Sequence, residues 1–310
     1  MRRKLMPAIA NLFKQKQIGD VRIIGVGRRR LSDGEFNLLL QTGDLSSRIS
    51  YQHGMFEDPA LYAKLVSALK HIDDEYNACI ARFFYLAVPP QHYETILANL
   101  RVSKLSEGCG QDSNEFTRIL IEKPFGKDLE TARHLEKVLS SIFEERQIYR
   151  IDHYLGKETV QNILSFRFAN GIFAPTWNDK FIDHVQIALC EDEGVGRRGQ
   201  FYDGVGATRD VVQNHMLQML AVTAMERPFA FDAASIRKER VGVLRSIEVT
   251  NAVVRGQYGG YRKELHVDPK SQTETFAAIK LMVNLPRWKN VPFYLRTGKK
   301  LKKKMTEISL

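Results

Sequence analysis

Arg150-Ile151-Asp152-His153-Tyr154-Leu155-Gly156-Lys157-Glu158 separates two kinds of sequence pattern and crowds an acid, an imidazole, a phenol and an ammonium around one glycine. Behind it, Val160, Ile163, Leu164 and Phe168 recur at a helical period, so the nonapeptide is expected where a helix begins. A helix start presents unpaired N–H groups. If the helix begins by His153, then His153 and Lys157 share a face, and two potential cations there oppose the positive end of the helix dipole. An anion between them removes the conflict. One reading is therefore a phosphate held by His153, Tyr154, Lys157 and helix-terminal amides, with Asp152 left to orient another group. The other is an ordinary Asp cap, a surface lysine balanced by Glu158 and a tyrosine packed by its ring. Spacing leaves both open.

Upstream of the nonapeptide, helices alternate with short apolar runs. An amphipathic helix over 4–17 (Leu5, Ile9, Leu12, Phe13) turns at Gly19-Asp20 into the run 21–27, and a helix over 59–73 leads to the strand 81–88, stopped by Pro89-Pro90. A helix near 93–100 precedes the strand 116–122, which ends at Lys123-Pro124-Phe125-Gly126, and a helix over 128–145 follows. Strands alternating with helices predict a doubly wound parallel sheet with functional residues at the strand C-terminal ends. The glycine-rich turn that should follow a first strand is missing, because Gly25-Val26-Gly27 follows a helix and Arg28-Arg29-Arg30 replaces the third glycine. The run 21–27 is then the second strand. An acidic residue at that strand end accepts the ribose 2′-OH of NAD, whereas arginine suits the 2′-phosphate of NADP. Arg28 is a candidate NADP contact, or else a surface arginine in a basic loop.

Downstream, the pattern changes to long extended stretches at 181–190, 247–254 and 275–284 with a helix over 204–225, which describes an α+β domain. Gly194-Val195-Gly196-Arg197-Arg198-Gly199-Gln200 forms a glycine-rich loop within it, and Gly256, Gly259 and Gly260 mark another. In Arg209-Asp210-Val211-Val212-Gln213-Asn214-His215-Met216-Leu217-Gln218-Met219-Leu220, the residues Val212, Met216, Met219 and Leu220 form one buried stripe, with His215 beside it. A lone helical His is commonly a packing residue. Imidazole nonetheless suits removal of a hydroxyl proton near neutral pH, a carboxylate would fix its tautomer, and Asp152 is a plausible partner.

The 310 residues, 44% hydrophobic and 26% charged, allow a substantial core and two domains, expected at 1–152 and 153–310. No apolar run approaches the roughly 18 to 20 residues needed to span a bilayer, and Met1-Arg2-Arg3-Lys4 followed by Pro7 is not a signal-peptide core. A cytoplasmic protein is expected. Cys79, Cys109 and Cys190 give neither a disulfide framework nor a metal-ligand spacing, so three thiols and no metal are expected. A net charge of +10 and a pI near 9.4 favour anionic partners. The excess gathers at Arg28-Arg29-Arg30 and Lys299-Lys300-Leu301-Lys302-Lys303-Lys304, without the interleaved aromatics of a single-strand-binding groove. A solvated surface is the plain reading of both runs.

Together, Arg150 to Glu158, Glu122-Lys123-Pro124-Phe125-Gly126, Arg209 to Leu220 and Val291-Pro292-Phe293-Tyr294-Leu295-Arg296-Thr297-Gly298-Lys299 resemble the glucose-6-phosphate dehydrogenase family, in its order and along essentially the whole chain. The resemblance implies an NADP-linked enzyme of the oxidative pentose phosphate pathway that oxidises glucose 6-phosphate to the lactone. It matches His215 to the base that takes the C1 hydroxyl proton and Asp152 to its carboxylate partner. His153, Tyr154 and Lys157 match the 6-phosphate clamp, and Lys123 a lysine shared between sugar and cofactor. Glu191, Asp210 and Lys299 match residues around the sugar hydroxyls, Lys304 a further substrate contact, and Arg28 and Tyr93 cofactor positions. It also implies a Rossmann-like domain, an α+β domain with a large, mainly antiparallel sheet, and a homo-oligomer; neither nucleic acid nor membrane is an expected partner.

Family members begin with a strand and a Gly-x-x-Gly-Asp-Leu turn just before the stretch that reads Arg3-Lys4-Leu5-Met6-Pro7 here, and their second domain continues beyond 305–310, which looks like the opening of a strand. The resemblance therefore implies a chain shortened at both ends, lacking the first strand and its pyrophosphate turn. Three alternatives stand beside it. One is a glucose-fructose-oxidoreductase-like dehydrogenase, which also uses a Glu-Lys-Pro segment but leaves 150–158 unexplained. Another is a fragment that binds sugar phosphate without cofactor. The last is a nucleic-acid module resting on charge alone.

Overall fold

The computed structural model describes residues 4–41, 43–108, 117–126 and 128–310. They form two compact units, Met1–Ile151 and Asp152–Leu310. No helix among the described residues is long and apolar enough to cross a membrane.

The first unit alternates helix and strand: α1 (Leu5–Lys14), β1 (Ile23–Gly27), α2 (Asp33–Leu40), β2 (Ile49–His53), α3 (Pro59–Tyr76), β3 (Arg82–Leu86), α4 (Tyr93–Val102), β4 (Thr117–Glu122), α5 (Leu129–Ser140) and β5 (Ile148–Ile151). Its helix starts are written in the sequence. Asp58 accepts from Ala60 N–H ahead of Pro59, and Ser32 and Asp128 each close a capping box, with Glu35 and Thr131. All strand pairing is parallel, as the alternation requires, but the strands fall into two sheets, β1-β2 and β3-β4-β5. Among the described residues no strand pairs with the outer edge of β1 or of β3. The core is Leu61, Leu65, Leu97, Leu100, Ile119, Ile121 and Leu139, with Met6, Leu45 and Ile49 in a smaller cluster.

Arg150 belongs to this unit's packing, since it pairs with Glu136 at 2.7 Å and Glu145 at 2.9 Å. The expectation of three thiols is corrected: Cys79 is disulfide-bonded and Cys190 is a buried free thiol. Cys109 and Phe116 lie outside the described residues. One bridge is hard to read from a sequence because disulfide frameworks are recognised from repeated spacings, which a single bridge does not supply.

The second unit comprises α6 (Glu158–Phe168), β6 (Val185–Cys190), α7 (Gly199–Tyr202), a π-helix (Thr208–Met216), α8 (Leu217–Ala224), α9 (Ala233–Arg245), β7 (Ile247–Gly256), β8 (Phe276–Val283), β9 (Pro292–Gly298) and β10 (Met305–Ser309). The sheet order is β10-β6-β9-β8-β7, antiparallel except for the parallel pair β6–β9. Its core, Met216, Met219, Leu220, Ala221, Trp288, Phe293 and Leu295, is wholly excluded from water. The apolar stripe of the sequence 209–220 is thus buried.

One charged side chain ties this core together. Arg167, 4% exposed near the end of α6, donates from Nη1 to Val222 O at 2.9 Å and from Nη2 to Met225 O at 2.7 Å. Its guanidinium also lies over Phe168 and Trp177. It satisfies carbonyls at the end of α8 that no helical N–H can reach. Arg167→Ala should cost about 2–4 kcal/mol, from two charge-assisted hydrogen bonds and the orphaned carbonyls. Urea unfolding measures it, and a loss well under about 1 kcal/mol, the scale of one ordinary hydrogen bond, would contradict the clamp.

Candidate functional site

In the second unit, Asp152 starts a tight turn. Its Oδ1 accepts from Tyr154 N at 2.9 Å, and its carbonyl accepts from Leu155 N at 3.2 Å. Lys157 is the N-cap of α6, so the helix begins at Glu158 and not by His153. The shared-face argument for His153 and Lys157 is corrected accordingly: no helical repeat relates them, and each instead packs against Tyr154, His153 at 4.6 Å between ring centroids and Lys157 Nζ at 3.6 Å over the ring.

The second contribution is the π-helix, whose i→i+5 repeat stacks residues five apart. Asp210 and His215 have that spacing, and both are buried, at 5% and 2% exposure. The sequence pattern places His215 beside the apolar stripe, and in the π-helix it is buried with that stripe. His215 Nδ1 lies 2.7 Å from Asp152 Oδ1. Tyr154 packs against the imidazole at 4.4 Å between ring centroids and His153 at 4.7 Å. One donor atom from each of Asp152, His153 and His215 lies within 4.8 Å of the others. Two of these groups are already bonded to each other, so the cluster is organised as an acid–imidazole pair with a second imidazole alongside.

Burial works to raise the Asp152 pKa, but the hydrogen bonds from His215 and Tyr154 N and the charges of His215 and His153 outweigh it and hold the carboxyl below its ordinary 3.8. A carboxylate with a depressed folded-state pKa adds stability that is fully present above the unfolded value and is lost as pH falls through the folded one. Acid titration of stability should therefore be steeper below pH 3.8 in the native protein than in Asp152→Asn. Coincident stability–pH curves would remove Asp152 from that linkage.

The sheet supplies the remaining groups. Glu191 N bonds Gly298 O where β6 and β9 end, setting Glu191 beside Lys299. Lys299 is 7% exposed, bonded through Nζ to the Glu191 carboxylate and 5.0 Å above the Tyr202 ring. A solvated-surface reading fails for Lys299 because a strand end buries it; Lys302, Lys303 and Lys304 are exposed. Lys157 Nζ stands 3.6 Å over the Tyr154 ring. Its pKa is lowered by burial and then by the charge of Lys304, so these two ammonium groups sense each other. The Tyr154 phenol is pushed up by burial, against a hydrogen bond from Thr306, and further by the charges of Glu191, Asp152 and Asp210. A cavity of about 150 Å³ is lined by Glu191, Arg198, Tyr202, Lys299 and Lys304, among others.

Asp152, His153, Tyr154, Lys157, Glu191, Asp210, His215, Lys299 and Lys304 thus all contribute to one neighbourhood of the second unit. Arg198, Tyr202 and Thr306 join it without having been singled out in the sequence. The glycines at 194, 196 and 199 were the available signal for Arg198 and Tyr202; Thr306 had none. Lys123, Arg28 and Tyr93 belong to the first unit. Lys123 follows β4 and precedes a turn held by Gly126, whose φ of +81° and closeness to the Ala132 backbone admit no side chain. Arg28 is exposed at the C-terminal end of β1. Tyr93 is 2% exposed, its hydroxyl donating to Glu122 O at 3.3 Å, which leaves little of it to meet a ligand.

Residues 1–162 match the family model for the glucose-6-phosphate dehydrogenase NAD binding domain, and residues 164–310 match the model for its C-terminal domain. The chain belongs to the glucose-6-phosphate dehydrogenase family. The glucose-6-phosphate 1-dehydrogenase of Chlamydia pneumoniae is 41% identical over 99% of this chain and 66% of its own length. That of Aggregatibacter actinomycetemcomitans is 42% identical over 99% of this chain and 67% of its own. A solved glucose-6-phosphate dehydrogenase in complex with its substrate glucose-6-phosphate superposes with a TM-score of 0.91 at 33% identity, covering 99% of this chain and 68% of that one. The glucose-6-phosphate 1-dehydrogenase of Mycobacterium avium gives 0.87 at 35% identity. The chain spans about two thirds of the length of the glucose-6-phosphate dehydrogenase relatives it matches.

Proposed function

We propose that this chain carries the chemistry of a glucose-6-phosphate 1-dehydrogenase, oxidising the C1 hydroxyl of glucose 6-phosphate to 6-phosphoglucono-1,5-lactone. The observation that carries the reading is the 2.7 Å contact between His215 Nδ1 and Asp152 Oδ1, with the two side chains 3% and 17% exposed. Asp152 holds the imidazole with its proton on Nδ1, which leaves Nε2 to take the hydroxyl proton, and stabilises the imidazolium that forms. His153, Tyr154 and Lys157, with Lys304 near Lys157, suit the 6-phosphate. Glu191, Asp210 and Lys299 are charged groups suited to sugar hydroxyls, which demand paired contacts in a water-poor site.

A dinucleotide held by the first unit would supply the hydride acceptor. NADP in preference to NAD is supported by Arg28, exposed where β1 ends: a guanidinium offers paired donors to a 2′-phosphate, whereas a ribose hydroxyl calls for a carboxylate. Lys123 is assigned to sugar and cofactor together.

Calorimetry with glucose 6-phosphate, glucose and NADP⁺, followed by a turnover assay, tests the reading. Glucose 6-phosphate should bind more tightly than glucose, and NADP⁺ should be reduced in its presence. Absence of sugar-phosphate binding would overturn the assignment. Binding without NADP⁺ reduction would confine the function to sugar-phosphate recognition.

A further inference from the structure

The opening N–H groups of a helix have no partner within it, and a π-helix is no exception. At Thr208–Met216 the first of them is met from a distant part of the chain. Glu274, half-buried just ahead of β8, accepts from Thr208 N through its side-chain Oε1 at 3.1 Å and from Ala207 N through its own carbonyl at 2.9 Å. That carbonyl also accepts from the Tyr202 hydroxyl at 3.2 Å. The Glu274 carboxylate lies against Gly206, φ +78°, where a Cβ would come within 2.5 Å of it, so the chain passes it without a side chain. Glu274 is itself held on both sides. Thr273 Oγ1 accepts from Gly204 N at 2.8 Å, and the buried Thr275 accepts from Lys299 N at 2.9 Å and donates to Gly256 O at 2.8 Å. The strand end that carries Lys299 and the start of the π-helix therefore share one anchor.

We propose that Glu274 is a positioning residue that sets the register of the π-helix and through it the aim of His215 at Asp152. Asp210 and His215 follow the pinned Thr208 within the same nine-residue winding, and both are buried. A slip of one residue at the start would turn each of them by about a quarter turn, enough to carry the imidazole away from its 2.7 Å contact with Asp152 Oδ1. Val212 and Met216 hold the segment down in the core, whereas the hydrogen bond to Thr208 N is directional and fixes where the winding begins. A side-chain oxygen accepting the first N–H is what a helix cap supplies locally. Here the neighbouring Ala207 offers no such group, and a residue from the sheet side provides it. Its negative charge also suits the positive end of a helix.

The test is the proton NMR resonance of the His215 Nδ1–H that donates to Asp152, assigned by its loss in His215→Asn and needing no turnover. Glu274→Ala removes the acceptor, and the low-field resonance should disappear or move toward that of a solvated imidazole. Glu274→Gln keeps a carbonyl oxygen at the same reach and should retain it. Glu274→Asp keeps the charge but draws the carboxylate back by one methylene, so it should weaken the resonance, and it answers the same question if Glu274→Ala does not fold. A merely structural role would lower the melting temperature and leave the resonance of the folded variant in place. An unchanged resonance in folded Glu274→Ala, or in Glu274→Asp where the alanine variant does not fold, overturns the proposal, as does its loss in Glu274→Gln. The inference rests on the base reading only for its effect on turnover, where Glu274→Ala should lower kcat by about 10- to 100-fold, the scale set by a misplaced reacting group. If the resonance is lost and turnover is not, Glu274 keeps its role and the base assignment of His215 fails.

Discussion

Replacing His215 by Asn should lower turnover by about 10²–10⁴-fold, the usual contribution of a positioned general base, while the affinity for glucose 6-phosphate changes little. Asn can still donate to Asp152 but has no group that titrates near neutral pH. The buried contact to Asp152 is made by the imidazole and not by the ammonium groups of Lys157 and Lys304, although the Tyr154 ring packs against both the imidazole and Lys157. Proton removal and phosphate grip are therefore separable. Steady-state kinetics beside calorimetry measure both, and equal turnover in variant and native protein would end the assignment of His215.

Lys157→Ala should have the complementary effect, weakening glucose 6-phosphate binding by about 10–100-fold, equivalent to about 1.5–3 kcal/mol for a hydrogen bond to a charged group, and leaving glucose nearly untouched. Its physical basis is the pair of ammonium groups at 157 and 304, whose mutual repulsion lowers the Lys157 pKa after burial has done so. A phosphate between them converts that repulsion into attraction, which an uncharged sugar cannot do. Equal losses for sugar and sugar phosphate would place Lys157 outside the phosphate site.

How much of this the sequence revealed follows from which groups carry local signals. Helix α3 and strands β3 and β4 were legible because Pro59, Pro89 and Pro124 mark their neighbourhoods and their apolar residues are dense. Helix α2 was not, since Leu38 and Leu39 stand 80% and 47% exposed and blur its amphipathic period. Strand β2, Ile-Ser-Tyr-Gln-His, alternates too weakly to register, and α9 has too few apolar residues for its length. The acid–imidazole pair joins residues 63 apart and the Lys299–Glu191 pair residues 108 apart. Local spacing holds no record of such contacts. The first was suggested by chemistry and by family resemblance; resemblance put Glu191 and Lys299 around the same sugar, but their bond to each other emerged from the parallel pairing of β6 and β9, which brings two strand ends together. The division of the parallel strands into two sheets was equally beyond a reading of alternation, which gives strand direction but not neighbours.

The π-helix makes the aim of His215 a collective property. Nine residues wound in this wider register are less well hydrogen-bonded, residue for residue, than an α-helix of the same sequence, so the winding must be imposed by what it packs against. Met216 and Val212 anchor it in the core beside Phe293 and Leu295. Loosening that anchorage anywhere would let the segment relax toward the tighter winding and swing the imidazole off Asp152. Errors in the core would then be read out as lost chemistry before they were read out as lost fold.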